Sequence, residues 1–115
     1  MAVKRHYMFR EIVDQPEIIA SALNEERSNV EDIADVLGKK EITRIYIVGC
    51  GDMFFAAIAA RHAFMKLAKI YAEPVESMEL SHYLFPSIDK NCVVIALSVS
   101  GRTPRTIEAS KIAKR

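Results

Sequence analysis

The sequence predicts an α/β protein, a three-layer αβα sandwich around a parallel sheet, preceded by N-terminal helices. Three observations carry this. Two runs, Ile42–Val48 and Val93–Leu97, are apolar with Arg44 as the main exception, as strands buried on both faces are. Each runs into a glycine- or hydroxyl-rich turn and then a helical pattern. A shorter strand, Pro74–Met78, lies between them. The order strand–helix–strand–helix–strand requires crossovers, and these put helices on both faces of a sheet.

The elements follow in order. Residues 6–14 read as a short helix that ends before Gln15-Pro16, and Pro16 suits the first turn of the next. Ile19, Leu23, Val30, Ile33 and Leu37 recur on one helical face. Gly38 is the expected stop, and Asn24–Asn29 is where the helix can divide. Residues 1–40 thus form a helical segment that wraps the domain or contacts a partner chain. Residues 41–115 hold the sheet. After the first strand, Gly49-Cys50-Gly51 opens a long helix from Asp52 to Ile70, whose Ala56-Ala57 and Ala59-Ala60 pairs permit close packing. Glu79–Leu84 reads as a helical turn and Phe85–Asn91 as a connection. The helix after the third strand runs to the last residue.

Composition narrows the function. Half of the 115 residues are hydrophobic, enough for one domain with a core. A net charge of +1 argues against a nucleic-acid or membrane surface built on bulk charge. No apolar run approaches a membrane span, and no apolar signal segment follows the first residues. Cys50 and Cys92 do not make a disulfide framework. Both read as reduced, buried thiols of a cytoplasmic protein. Three scattered histidines offer no metal site, and no cofactor is expected.

The chemistry concentrates at Ser98, Ser100, Gly101, Thr103 and Thr106, where a strand turns into a helix. Such a turn offers free backbone N–H groups, the positive end of a helix dipole and hydroxyl donors. A phosphate group wants all three. The plain alternative is an ordinary helix cap, which accounts for Thr103 followed by Pro104. It does not account for the other hydroxyls. Gly49 and Gly51 make a second turn where backbone can approach a ligand. If the strand order is 2-1-3, both turns face one crevice at the carboxyl ends of the strands.

Other readings are weaker. Gly49-x-Gly51 opens a dinucleotide fingerprint, with Glu76 near the place of a ribose-binding acid. Phe54 at the third position opposes the close packing that fingerprint needs. No Gly-Lys-Ser/Thr occurs, which excludes a Walker loop. His62 reads as a structural or helix-surface histidine, Glu79 and His82 as a surface pair, and Arg102 and Arg105 as solvated helix-start charges. Met53, Phe54 and Phe55 read as core.

Ser98-Val99-Ser100-Gly101-Arg102-Thr103-Pro104-Arg105-Thr106 resembles the S-x-S-G-x-T-x-x-T signature of the sugar isomerase (SIS) domain family. His6–Pro16 resembles the H-x-M-x-x-E-I-x-x-Q-P entry to the isomerase part of glucosamine-6-phosphate synthases. Gly49-Cys50-Gly51 matches their C-G turn, and Glu76 and Glu79 their E-x-x-E region. The resemblance implies a flavodoxin-like strand order and a phosphosugar ligand, fructose 6-phosphate or glucosamine 6-phosphate, in a homodimer. It implies that Ser98, Val99 (through its backbone), Ser100 and Thr103 hold the phosphate, and that Cys50 and Gly51 line the sugar. Asp52 and Met53 depart from the Thr-Ser or Gly-Ser usual after the C-G turn.

The family's acid/base residues, a Glu, a His and a Lys, belong to a later part. If Met1 is the true start, no glutamine-amidotransferase domain precedes it, and the expectation is the stand-alone isomerase or glucosamine-6-phosphate deaminase branch. Three strands would leave an apolar edge unpaired. The expectation is therefore a piece of a longer protein, an isomerase, aminotransferase or deaminase of sugar phosphates. The alternative is a non-catalytic phosphosugar sensor.

Overall fold

The computed structural model describes residues 6–115. Residues 1–5, the start of the predicted N-terminal segment, lie outside the described residues. The chain divides after Lys39 into two compact units.

The first unit is a pair of helices, α1 (Tyr7–Glu25) and α2 (Arg27–Gly38). The helix does not end before Pro16. It runs through it, because apolar residues continue the same stripe on both sides, Ile12 and Val13 before, Ile18 and Ile19 after. Pro16 removes one amide donor and crowds the carbonyl four residues back, a local cost that does not stop the helix. The break falls at Glu26, inside the polar stretch where division is expected. No residue of either helix is buried.

The second unit holds three parallel strands in the order β2-β1-β3. They are β1 (Arg44–Gly49), β2 (Tyr71–Glu76) and β3 (Cys92–Ala96). β1 is central and nearly all buried, since it alone is paired on both sides. Its side chains alternate between two cores. Ile45 and Ile47 pack with Ala57 of α3 (Asp52–Ala63) and Ala72. Tyr46 and Val48 pack on the other face with Val75, Leu80 and Ala109 of α5 (Pro104–Ala113). Helices thus cover both faces, the three layers the apolar strands predicted. The Tyr46 hydroxyl is satisfied by Arg44 and Ser87, each at 2.9 Å.

Several boundaries differ from expectation. α3 ends at Ala63 in a π-helical turn, Phe64–Ala68, and Lys69 takes a left-handed φ of 59°. β2 starts at Tyr71, not Pro74, because its register follows β1, with Arg44 beside Tyr71 and Gly49 beside Glu76. Pro74 is tolerated because β2 is an edge strand. The next helical segment therefore opens at Ser77, as α4 (Ser77–Glu79), widens into a π-helical turn over Leu80–Leu84 and tightens to a 3₁₀ turn over Phe85–Ser87. β3 is only half-buried, not buried on both faces, since its outer side has no neighbouring strand among the described residues. α5 stops at Ala113. Phe55 is not core: it is 66% exposed on the outer side of α3.

Candidate functional site

The parallel register sets the carboxyl ends of all three strands level. Gly49 pairs with Glu76, Val48 pairs with Ala96, and the Leu97 N–H reaches the Val48 carbonyl at 2.8 Å. The turns after β1 and β3 are therefore neighbours, as the 2-1-3 order requires.

The turn after β1 is built by two glycines with different roles. Gly49 is there for packing: a Cβ on it would lie 2.8 Å from Met53 Cβ and 2.9 Å from the Met53 carbonyl carbon. Gly51 has φ +54°, which L side chains rarely adopt, and open space stands where its side chain would be. Between them sits Cys50. It is free and half-buried, not fully buried as expected, because the turn lifts it out of the strand. Its Sγ lies 3.8 Å from Thr106 Oγ1.

Thr106 is the joint of the site. Its hydroxyl is buried, reaches from α5 under the β1 turn, and meets Ser77 Oγ at 3.0 Å at the end of β2. Glu76 closes the same group. Burial pushes its carboxyl up, but donation from the Met78 N–H and the Cys50 thiol, with the N–H groups of Glu79 and Ser77, outweighs this. The carboxyl sits below the usual range and stays ionised. The ends of β1, β2 and α5 are thus tied through Cys50, Glu76, Ser77 and Thr106.

The loop after β3 folds on itself. Ser98 Oγ accepts from the Gly101 N–H at 3.1 Å and lies 2.9 Å from Thr103 Oγ1. Ser100 Oγ accepts from the Arg102 N–H at 3.1 Å. Gly101 has φ +66° with open space around it. Thr103 occupies the cap position of α5, with Pro104 next, yet its side chain does not cap the helix. It turns to Ser98 instead. The first turn of α5 therefore presents N–H groups that no side chain closes, at the positive end of the helix. Val99, between Ser98 and Ser100, is 87% exposed.

The structure brings Cys50 close to the α5 start and sets Ser98, Ser100 and Thr103 in one loop. Sequence reasoning misses Ser77. With β2 read three residues late, Ser77 falls inside a strand and not at its end. His62 is exposed on α3. Glu79 and His82 are exposed, and the His82 ring bonds Ser81 Oγ at 2.9 Å and the Met78 carbonyl at 3.0 Å. Arg105 pairs with Glu108 at 2.8 Å. Among the described residues no helix is long and apolar enough to cross a membrane.

Comparison with known proteins agrees with this geometry. A solved structure of tagatose-6-phosphate ketose/aldose isomerase from Escherichia coli superposes with a TM-score of 0.81, over 99% of this chain and 32% of that one. At 19% identity, this shows a shared fold. The isomerizing glutamine–fructose-6-phosphate aminotransferase of Haemophilus ducreyi is 35% identical over 121 residues, 98% of this chain and 19% of its own. That of Thermococcus kodakarensis is 31% identical over 110 residues, 96% of this chain and 18% of its own. The chain thus spans about a fifth of these relatives' length. The SIS domain model matches residues 39–115, the whole of the α/β unit with its hydroxyl loop and glycine turn, and the chain therefore belongs to the SIS domain family.

Proposed function

We propose that the crevice between the β1 turn and the Ser98–Thr103 loop binds a phosphorylated sugar, fructose 6-phosphate or glucosamine 6-phosphate. The phosphate rests on the hydroxyls of Ser98, Ser100 and Thr103 and on backbone N–H groups at Val99 and the start of α5. Cys50 and Gly51 line the sugar. The supporting observation is the uncapped α5: Thr103 stands at the cap position and leaves the helix N-terminus open. A dianionic phosphate is the ligand such an end favours. Each charge-assisted hydrogen bond contributes about 1.5–3 kcal/mol, and three or four suffice for a small ligand after association costs.

In this reading the chain is the substrate-holding part of an enzyme that interconverts aldose and ketose phosphates or transfers an amine to them. Fixing the phosphate orients the sugar C1 and C2 toward a base, and orientation is a large share of such catalysis. The α/β unit with its helices, residues 41–115, is the ligand-binding domain, and residues 1–40 are a separate helical segment.

Calorimetry with fructose 6-phosphate, glucosamine 6-phosphate, free fructose and inorganic phosphate tests this. Binding of the phosphosugars, none of free fructose, and loss of binding in Ser100→Ala/Thr103→Ala with unchanged circular dichroism are expected. Equal affinity in that variant sinks the assignment.

A further inference from the structure

Ser77, Thr106 and Cys50 meet at the carboxyl end of the sheet, each with a single polar hydrogen to give. Ser77 and Thr106 are buried. Ser77 Oγ lies 3.0 Å from Thr106 Oγ1, Thr106 Oγ1 lies 3.8 Å from Cys50 Sγ, and the Cys50 thiol donates to the Glu76 carboxylate. The Met78 N–H, at 2.8 Å, holds that carboxylate in place. An ionised carboxylate only accepts, so direction propagates from Glu76. The thiol proton is committed to the carboxylate. The sulfur therefore receives the Thr106 proton, and the Thr106 oxygen receives that of Ser77. The reverse order leaves the Ser77 proton without an acceptor among the described residues, a costly state for a buried group. Hydrogen bonds aligned in this way polarise and strengthen one another.

We propose that Glu76 is a positioning residue: through this chain it turns the Cys50 thiol proton away from the crevice, so that the sulfur meets the ligand as a hydrogen-bond acceptor. Topology supplies the sense. β2 and β3 lie on opposite sides of β1. Glu76 ends β2 beside Gly49, whereas the Ser98–Thr103 loop follows β3. A proton aimed at Glu76 is aimed away from that loop. The ligand group seated on the sulfur is then a hydroxyl or an ammonium, not a carbonyl oxygen. The ligand half of this inference rests on the phosphosugar reading; the thiol half does not.

Both halves are read on the full chain carrying Cys92→Ser, which leaves Cys50 as the only thiol. Infrared spectra of the ligand-free protein should place the S–H stretching band low, because donation to a carboxylate is charge-assisted. Glu76→Gln, which keeps an acceptor for the Met78 N–H, and Thr106→Val should each raise the band. Thr106→Ser, which keeps the hydroxyl, should leave it in place. In calorimetry Glu76→Gln should weaken fructose 6-phosphate binding about tenfold, the scale of one lost hydrogen bond. Inorganic phosphate affinity and circular dichroism should not change. A band that Glu76→Gln does not move overturns the proposal. So does an equal loss of affinity for fructose 6-phosphate and inorganic phosphate, since Glu76 would then support the phosphate loop and not the sulfur. If the unaltered chain binds no phosphosugar, the phosphosugar reading falls alone, and the band still decides the direction of the thiol for or against.

Discussion

Replacing Gly49 by alanine tests how tightly the candidate site is seated on the fold. The new Cβ would stand 2.8 Å from Met53 Cβ and 2.9 Å from the Met53 carbonyl carbon, where ordinary contact begins at 3.4 Å. Neither atom is a flexible tip, so the relief must come from backbone. The start of α3 would have to retreat from the end of β1 by about 0.6 Å, the difference between 3.4 and 2.8 Å. A gap of that size forfeits a quarter to a half of the dispersion well for each contact it opens, those of Ala57 against Ile45, Ile47 and Ala72 among them. A loss of about 1–3 kcal/mol follows, as in other overpacked cores. In a unit this small that lowers the melting temperature by roughly 4–8 °C per kcal/mol. Urea unfolding should show the midpoint fall with an unchanged m-value. Shortening Met53 to alanine in the same chain should not rescue it, since the clash is with Cβ and backbone. An unaltered midpoint in Gly49→Ala, or full rescue by Met53→Ala, would refute the argument.

Three further outcomes are expected. Thr106→Val leaves the buried Ser77 hydroxyl without its 3.0 Å partner, and urea unfolding should show a loss of about 1–3 kcal/mol, partly recovered by adding Ser77→Ala. Pro16→Ala restores an amide donor inside α1, so helical ellipticity and amide protection around Ile12 should both rise. Glu76 has a carboxyl held below its ordinary 4.5. A lowered folded-state pKa contributes stability that is present above the unfolded value and lost as pH falls through the folded one. Denaturant midpoints should therefore drop as pH falls below about 4.5, and Glu76→Gln should flatten that drop.

The sheet was legible because its signals are cooperative. Ile45, Ile47 and Val48 are apolar without relief, and only a strand covered on both faces tolerates that. The hydroxyl loop and the glycine turn were legible because each breaks an apolar run abruptly, and the 2-1-3 order then makes them neighbours. What escaped depends on pairing and tertiary packing. Pro74 reads as a strand start, but hydrogen bonding to β1 carries β2 back to Tyr71. Pro16 reads as a helix start, but the apolar stripe on both sides of it carries the helix through. Phe55 reads as core beside Phe54, yet only three-dimensional packing decides which of two adjacent aromatics turns outward. Ser77 and the Thr106 contact join three segments distant in sequence, and no local pattern announces such a meeting.

The half-covered third strand bears on how this chain behaves in a test tube. From Cys92 to Leu97 it holds no charge, no proline and no glycine, and three of its residues are β-branched. No strand among the described residues pairs with its outer edge, and such an edge offers amide and carbonyl groups to any extended segment that meets it. These are the ingredients of cross-β growth. Concentrated samples of this chain should therefore develop thioflavin fluorescence after a lag, seeded by the edge and not by global unfolding. Val94→Lys should lengthen that lag far more than its effect on stability would suggest.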